Sequence, residues 1–218
     1  MVDRTVDLVI FDCDGVLIDS ELIACRTAAE TLTEFGFPIT LDEYLGFVGR
    51  SARDIQAVLE GRFGPMPTEM RATERRRLFA RFAEELQPMP GVAETVAALA
   101  RPVCVASSSD HERLDLTLGV TGLAPLFRPH VFSATEVARG KPAPDLFLHA
   151  AGRLGIAPAA CLVVEDSPAG ITAAVAAGMR AVGFVGGGHC GPAHAERLRA
   201  AGAGCIVDRL SAVTAIAG

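Results

Sequence analysis

Asp7-Leu8-Val9-Ile10-Phe11-Asp12-Cys13-Asp14-Gly15-Val16-Leu17 is the stretch whose reading decides the fold. Leu8 to Phe11 form a short apolar run of the kind that makes a fully buried strand. The run stops at two carboxylates one residue apart, Asp12 and Asp14, and a glycine follows at once. Aspartate is depleted within strands, so both acids belong where the strand ends and a turn begins. In an open α/β sheet the carboxyl ends of the strands are where ligands bind. Two carboxylates there can hold a hard cation through oxygen, and Gly15 lets the backbone turn and approach a ligand closely. An ordinary strand exit with two solvated acids has the same local pattern, so the rest of the chain must decide.

A chain of 218 residues, half of them apolar, suits one domain or one domain with an insertion, and can bury a sizeable core without staples. A net charge of −6 argues against a general nucleic-acid or anionic-membrane binder. An anionic substrate stays open, because a bound metal inverts the local field. Cys13, Cys25, Cys104, Cys161, Cys190 and Cys205 are scattered and form no C-x-x-C pair, which points to reduced thiols in a reducing compartment. The N-terminal apolar run is too short and too acidic for a signal peptide, and no apolar run approaches a membrane span. A cytoplasmic protein with no membrane partner is the expectation.

Residues 18–87 read as helices throughout: Ser20 to Gly36, one opened by the capping-box spacing Thr40-x-x-Glu43, one over Ala52 to Leu59, and a charged one over Thr68 to Leu86. Arg71, Arg75, Arg76, Arg77 and Arg81 interleave with glutamates and read as a solvated helix face. From Pro88-Met89-Pro90-Gly91 onward, short apolar strands alternate with helices, the mark of a doubly wound parallel sheet. An α/β core of residues 1–17 and 88–218 with an all-helical insertion of residues 18–87 is therefore expected.

Three further polar clusters fall where predicted strands end. Ser107-Ser108-Ser109-Asp110 offers hydroxyls and backbone N–H groups to an anion, or simply caps a helix. Lys141 lies in Gly140-Lys141-Pro142-Ala143-Pro144, whose prolines stiffen the turn, and a point charge there suits a phosphate oxygen. Glu165 and Asp166 close another buried run, Leu162 to Val164. If the strands are parallel, all these groups share one edge. Four acids around one point repel unless a cation is present, and Mg2+, which takes few carboxylates and binds phosphate, fits.

Together these stretches resemble the haloacid dehalogenase superfamily, in its phosphatase and beta-phosphoglucomutase-like branch. The four motifs stand in order: Asp12-x-Asp14-Gly15, Ser107, Lys141 in Gly-Lys-Pro-x-Pro-Asp, and Glu165-Asp166-Ser167-x-x-Gly170. The resemblance implies a Rossmann-like core with a helical cap that opens and closes over the site, hinged near Leu17–Ser20 and Pro88–Gly91. It implies Asp12 as the nucleophile forming an aspartyl-phosphate and Asp14 as the general acid and base. Ser107, Ser108 and Lys141 would bind the phosphoryl oxygens, and Asp12, Asp14, Asp166 and Glu165 would bind Mg2+, Glu165 either directly or from behind. A monomer acting on a small phosphorylated substrate is implied.

Asp14 sets this chain apart from the dehalogenases, which lack it, and a cap without lysine departs from the phosphonatases. Beta-phosphoglucomutases resemble the chain too. They carry a threonine at the position of Ser20, but also a histidine where Ala24 stands and an arginine aligned with Ala52. Arg50 and Arg53 flank that place, and Gly49 to Arg53 is the expected specificity loop, with Ser20 beside the substrate. A sugar-phosphate phosphatase is the first expectation and a phosphosugar mutase the second. A non-catalytic phosphate-binding or phospho-aspartate signalling protein is the third, and it accords poorly with the helical insertion and with both Asp12 and Asp166 being present. His189-Cys190-x-x-x-His194 could suggest a soft-metal site, but among so many glycines it reads as a mobile loop.

Overall fold

The computed structural model describes residues 5–48 and 52–218, with the side chains of Ala52 and Arg53 outside that description. Six strands form one sheet: β1 (Leu8–Phe11), β2 (Val103–Ser107), β3 (Val131–Ser133), β4 (Cys161–Glu165), β5 (Arg180–Phe184) and β6 (Cys205–Val207). Their order is β3-β2-β1-β4-β5-β6 and every pairing is parallel. The chain winds outward from β1 to β3 on one side, then returns to β4 on the other. The strand order therefore reverses between β1 and β4, and the crevice at their carboxyl ends is where such sheets bind ligands.

Alternation along the strands divides the interior in two. Val9 and Phe11 of β1, Val105 of β2, and Leu162 and Val164 of β4 face one layer. That layer is filled by α5 (Val92–Ala98), α6 (His111–Val120), α7 (Ala124–Phe127) and α11 (Ala212–Ala217). Leu8 and Ile10, with Cys104, Ala106, Cys161 and Val163, face the other. There α8 (Asp145–Leu154), α9 (Pro168–Ala176) and α10 (His194–Ala200) pack. Both faces of the sheet are covered, so the central strands read as unbroken apolar runs. The α/β expectation is met. The short helix α7 was not anticipated: four residues are too few to show a periodicity. All six cysteines are free, and among the described residues no helix is long and apolar enough to cross a membrane.

Between β1 and α5 the regular elements among the described residues are all helices: α1 (Glu21–Glu34), α2 (Leu41–Leu45), α3 (Ala52–Phe63) and α4 (Thr68–Glu85). The capping box at α2 is present, with Glu43 N–H on the Thr40 hydroxyl at 3.2 Å and Thr40 N–H on Glu43 at 2.9 Å. Ala29, Leu32, Ile39, Leu59 and Met70 form a separate apolar cluster within this segment. Its two connections to the sheet run side by side. Met89 N–H donates to the Leu17 carbonyl at 2.8 Å and Asp19 N–H to the Gln87 carbonyl at 3.2 Å, so the chain leaves and re-enters the α/β part at one place.

The basic face of α4 is paired rather than merely solvated. Arg77 and Arg81 meet Glu34 and Glu30 of α1, and Arg75 reaches across to Asp110 at 3.0 Å and Glu112 at 2.7 Å, next to and on α6. Such solvent-exposed pairs contribute little to stability. The stronger tie is apolar: Leu78, Phe82 and Leu86 of α4 and its end join the layer of Val9 and Phe11. Phe82 is 1 % exposed, so Phe82→Ala should destabilise the fold by about 3–5 kcal/mol, read as a lowered urea midpoint.

Candidate active site

Pairing register puts the charged residues side by side. Phe11 lies opposite Val105 on one neighbour and Val164 on the other, so the next residue, Asp12, emerges between Ala106 and Glu165. Asp12 N–H still donates to the Val164 carbonyl at 3.0 Å, which holds the first residue beyond the strand in place. Cys13 turns into the core with no exposure, and Asp14 returns to the cleft. Gly15 then takes φ +76°. A Cβ there would stand 1.9 Å from Asp166 Oδ2, so both its conformation and its closeness require glycine.

Lys141 enters from the loop before α8, and its side chain is only 3 % exposed. Its ammonium donates to Asp12 Oδ1, to Glu165 Oε1 at 2.7 Å and to the Ala106 carbonyl at 2.8 Å. All three of its donors are used. Burial works against this charge, but Asp12 and Glu165 outweigh it and hold the lysine protonated, above its ordinary range.

The other oxygen of Glu165 accepts from Ser167 N–H and Ser167 Oγ, both at 2.8 Å, while Ser167 caps α9 through Gly170 N–H at 3.0 Å. A Cβ on Gly170 would fall 1.7 Å from Glu165 Oε1. Glu165 thus has protein donors on both oxygens, whereas among the described residues none reaches Asp166 Oδ1 or Asp12 Oδ2.

Asp14 is held by three donors: Ser20 Oγ at 2.7 Å, Ser109 Oγ at 2.7 Å and the Arg113 guanidinium at 2.6 Å. Burial opposes its charge, but Arg113 and the two hydroxyls prevail and keep the carboxyl below the usual range. Arg113 stands in the first turn of α6, three residues past its N-cap Asp110, and lies 5.1 Å over the Phe82 ring. Ser20 was expected beside the substrate. Its side chain is instead fully buried on Asp14 and does not line the cleft.

Asp12 and Asp166 behave oppositely to Asp14. Burial raises Asp12 well above a normal carboxyl; Lys141 pulls it down, and Glu165, Asp166 and Asp14 push it up. Asp166 is raised by burial, then by Glu165 and Glu21. With Asp14 neutralised by Arg113, three carboxylates face one ammonium. This donor set, oxygen-rich and short of positive charge, suits a hard divalent cation.

The cluster forms the floor of a cleft of about 940 Å³. Ser107 and Ser108 line it beside Asp12, and Ser107 Oγ accepts from Ser109 N–H at 3.1 Å. Glu21, Val48, Asp54 and Arg75 of the helical segment form the opposite wall. Gly49 and Arg50 of the expected specificity loop, and the side chain of Arg53, lie outside the described residues. Two groups at the site, Arg113 and Glu21, escaped the sequence reading; Ser109 was read only within an anion-binding or capping cluster, and His189, with Nε2 at 2.9 Å from Asp166 Oδ2, only within a mobile loop. A helical-wheel reading from the Asp110 cap would have turned Arg113 toward the strand ends. Nothing local marks the others.

Comparison with known proteins agrees with this geometry. The chain is 30% identical over 190 residues to 6-phosphogluconate phosphatase of Escherichia coli, covering 86% of each. It is 32% identical over 177 residues to a fructose-1-phosphate phosphatase of the same organism, covering 79% of this chain and 93% of the other. A crystal structure of a conserved haloacid dehalogenase-like protein of unknown function from Agrobacterium tumefaciens superposes with a TM-score of 0.88 at 40% identity, over 97% of each chain. The family model for haloacid dehalogenase-like hydrolases matches residues 6–178, and the chain belongs to that family.

Proposed function

We propose that this chain is a Mg2+-dependent phosphatase for a small sugar phosphate, acting through an aspartyl-phosphate on Asp12. The observation that carries the reading is the pair of carboxylates at the end of β1, one locked to a buried lysine side chain and the other to a half-buried arginine, at the floor of a single cleft. Phosphoric monoester hydrolysis is the activity of the relatives it matches over most of their length, and two of them act on sugar phosphates.

Asp12 is the group placed to attack phosphorus, splitting one difficult displacement into two. Lys141 fixes one oxygen of that carboxylate and brings positive charge to the phosphoryl group, with the Ser107 and Ser108 segment beside it. Asp14 serves both half-reactions. Held ionised by Arg113, it is ready to take a proton from the water that cleaves the intermediate. In the first half the dianionic phosphate raises its proton affinity by like-charge repulsion, so it can carry a proton to the leaving oxygen. Glu165 holds Lys141 and Ser167 and acts from behind. Asp166, Asp12 and the Asp14 segment are the residues that would hold Mg2+, which supplies charge neutralisation on the transferring oxygens. The helical segment acts as a cap: the two adjacent connections at Leu17–Asp19 and Gln87–Met89 are its hinge, and the weak Arg75 pairs are the contacts it releases on opening.

Two measurements check this. Wild type and Asp12→Asn are assayed against a sugar-phosphate panel, with Mg2+ and with chelator. Metal-dependent phosphate release that Asp12→Asn abolishes is expected. Conversion of a 1-phosphate to a 6-phosphate with little free phosphate would replace the phosphatase reading with the mutase one. The second is thermal unfolding without metal. Asp12 is raised in the folded state, so the stability it contributes is present at low pH and lost as pH rises through its folded value. Asp12→Asn should therefore melt above wild type at pH 7, by about 2–4 °C per kcal/mol relieved, and the gap should close below about pH 4.

A further inference from the structure

The segment after β5, Gly186-Gly187-Gly188-His189-Cys190, was read as a mobile loop, yet its histidine is one of the most enclosed side chains of the site. His189 is 1 % exposed at its side chain, and its Nε2 lies 2.9 Å from Asp166 Oδ2. That contact is an ion pair when the ring is protonated, and Cys190 Sγ lies 3.4 Å from the same nitrogen. Nδ1 is buried without a partner, so the Nε2 contacts to Asp166 and Cys190 and the fit of the ring hold it in place.

The fit is built by glycines on both sides. A Cβ at Gly187 would stand 2.7 Å from His189 Cε1, and one at Gly15 would stand 3.0 Å from the same atom. Gly188 N–H anchors the segment to Asp19 Oδ1 at 3.3 Å, next to the hinge. On the far side, His194 meets the His189 ring edge-on at 5.5 Å. Its Nε2 donates to the Asp166 backbone carbonyl at 2.6 Å, and its Nδ1 accepts from Arg197 at 2.8 Å.

These bonds also decide against a soft-metal site. His189, Cys190 and His194 offer ligand atoms within 4.8 Å of one another. However, both nitrogens of His194 are taken, and the Arg197 guanidinium stands where a cation would need to approach. What the cluster grips is Asp166, by its side chain from His189 and by its carbonyl from His194. Oδ1 alone is left without a protein donor among the described residues.

We propose that His189 is a positioning residue: by occupying Oδ2 it fixes the Asp166 carboxylate so that Oδ1 is presented for Mg2+. The inference rests on the metal-dependent reading above. Outer partners of this kind typically account for 10–100-fold in metal affinity. The test is Mg2+ binding by calorimetry in the absence of substrate, on wild type and on His189→Gln, His189→Asn and His189→Ala. Gln keeps a donor with similar reach, and Asn keeps the donor but falls short. Affinity should therefore follow wild type ≈ Gln > Asn > Ala, with about a 10–100-fold loss at Ala. At saturating Mg2+, KM for the phosphate ester should be unchanged across the set. Equal Mg2+ affinity in all four proteins, or a loss at Gln matching that at Asn, would overturn the role of His189 and leave the phosphatase reading standing. No Mg2+ binding by wild type would overturn the metal reading beneath it. The order of Gln and Asn decides the matter even if the Ala variant does not fold.

Discussion

The buried ammonium of Lys141 is the interaction on which the rest of the site depends. It joins the ends of three strands: Asp12 beyond β1, the Ala106 carbonyl in β2 and Glu165 in β4. A lysine withdrawn this far from water is costly unless every donor is matched. Here each donor has an acceptor, and each acceptor is held independently by sheet register or by the α9 cap. Deleting an acceptor strands the ammonium in the interior unless an oxygen remains in its place, as in an amide. Glu165 is the clearest case, since it sustains both the lysine and the start of α9 from a space that only Gly170 leaves open.

Around that lysine the acids are sorted by their partners. Asp14, tied to Arg113, Ser20 and Ser109, stays ionised. Asp12 and Asp166, facing each other and Glu165 in a buried place, strain toward protonation. Neighbouring carboxylates with opposite tendencies are how one fold obtains both a proton carrier and a site hungry for positive charge. The difference arises outside the acids themselves, in an arginine one helical turn into α6 and a hydroxyl at the root of α1.

The α/β architecture was legible in the sequence because parallel strands buried on both faces leave apolar runs, and their ends leave acids, a serine and a lysine at recognisable spacing. Asp12, Asp14, Ser107, Lys141 and Asp166, which line one cleft, were readable for that reason. Ser20 was assigned to the cleft because its neighbourhood resembles a substrate-facing one, but its direction is set by Asp14, a long-range partner that no local pattern reveals. Arg113 was missed, and the contacts of Ser109 with Asp14 and of His189 with Asp166 were not seen, for the same cause: each spans 23 to 99 residues of chain. A glycine run before His189 reads as slack, whereas its lack of side chains is what admits the ring. The helical segment was visible as a block, but its arginines were read as solvated because their partners lie on another helix.

The paired crossing at Leu17–Asp19 and Gln87–Met89 has a consequence for the whole fold. Because the two chain ends of the helical segment meet at one point, the α/β part closes on itself whatever lies between them, and the entropy of bridging that gap rises only slowly with the length inserted. The floor of the cleft and its opposite wall are thus structurally separable parts. The floor, fixed by sheet register, keeps the phosphorus chemistry, while the wall bearing Val48, Asp54 and Arg75 can be lengthened, shortened or exchanged without disturbing it. A fold joined in this way can acquire new substrates by rewriting one contiguous stretch of its gene.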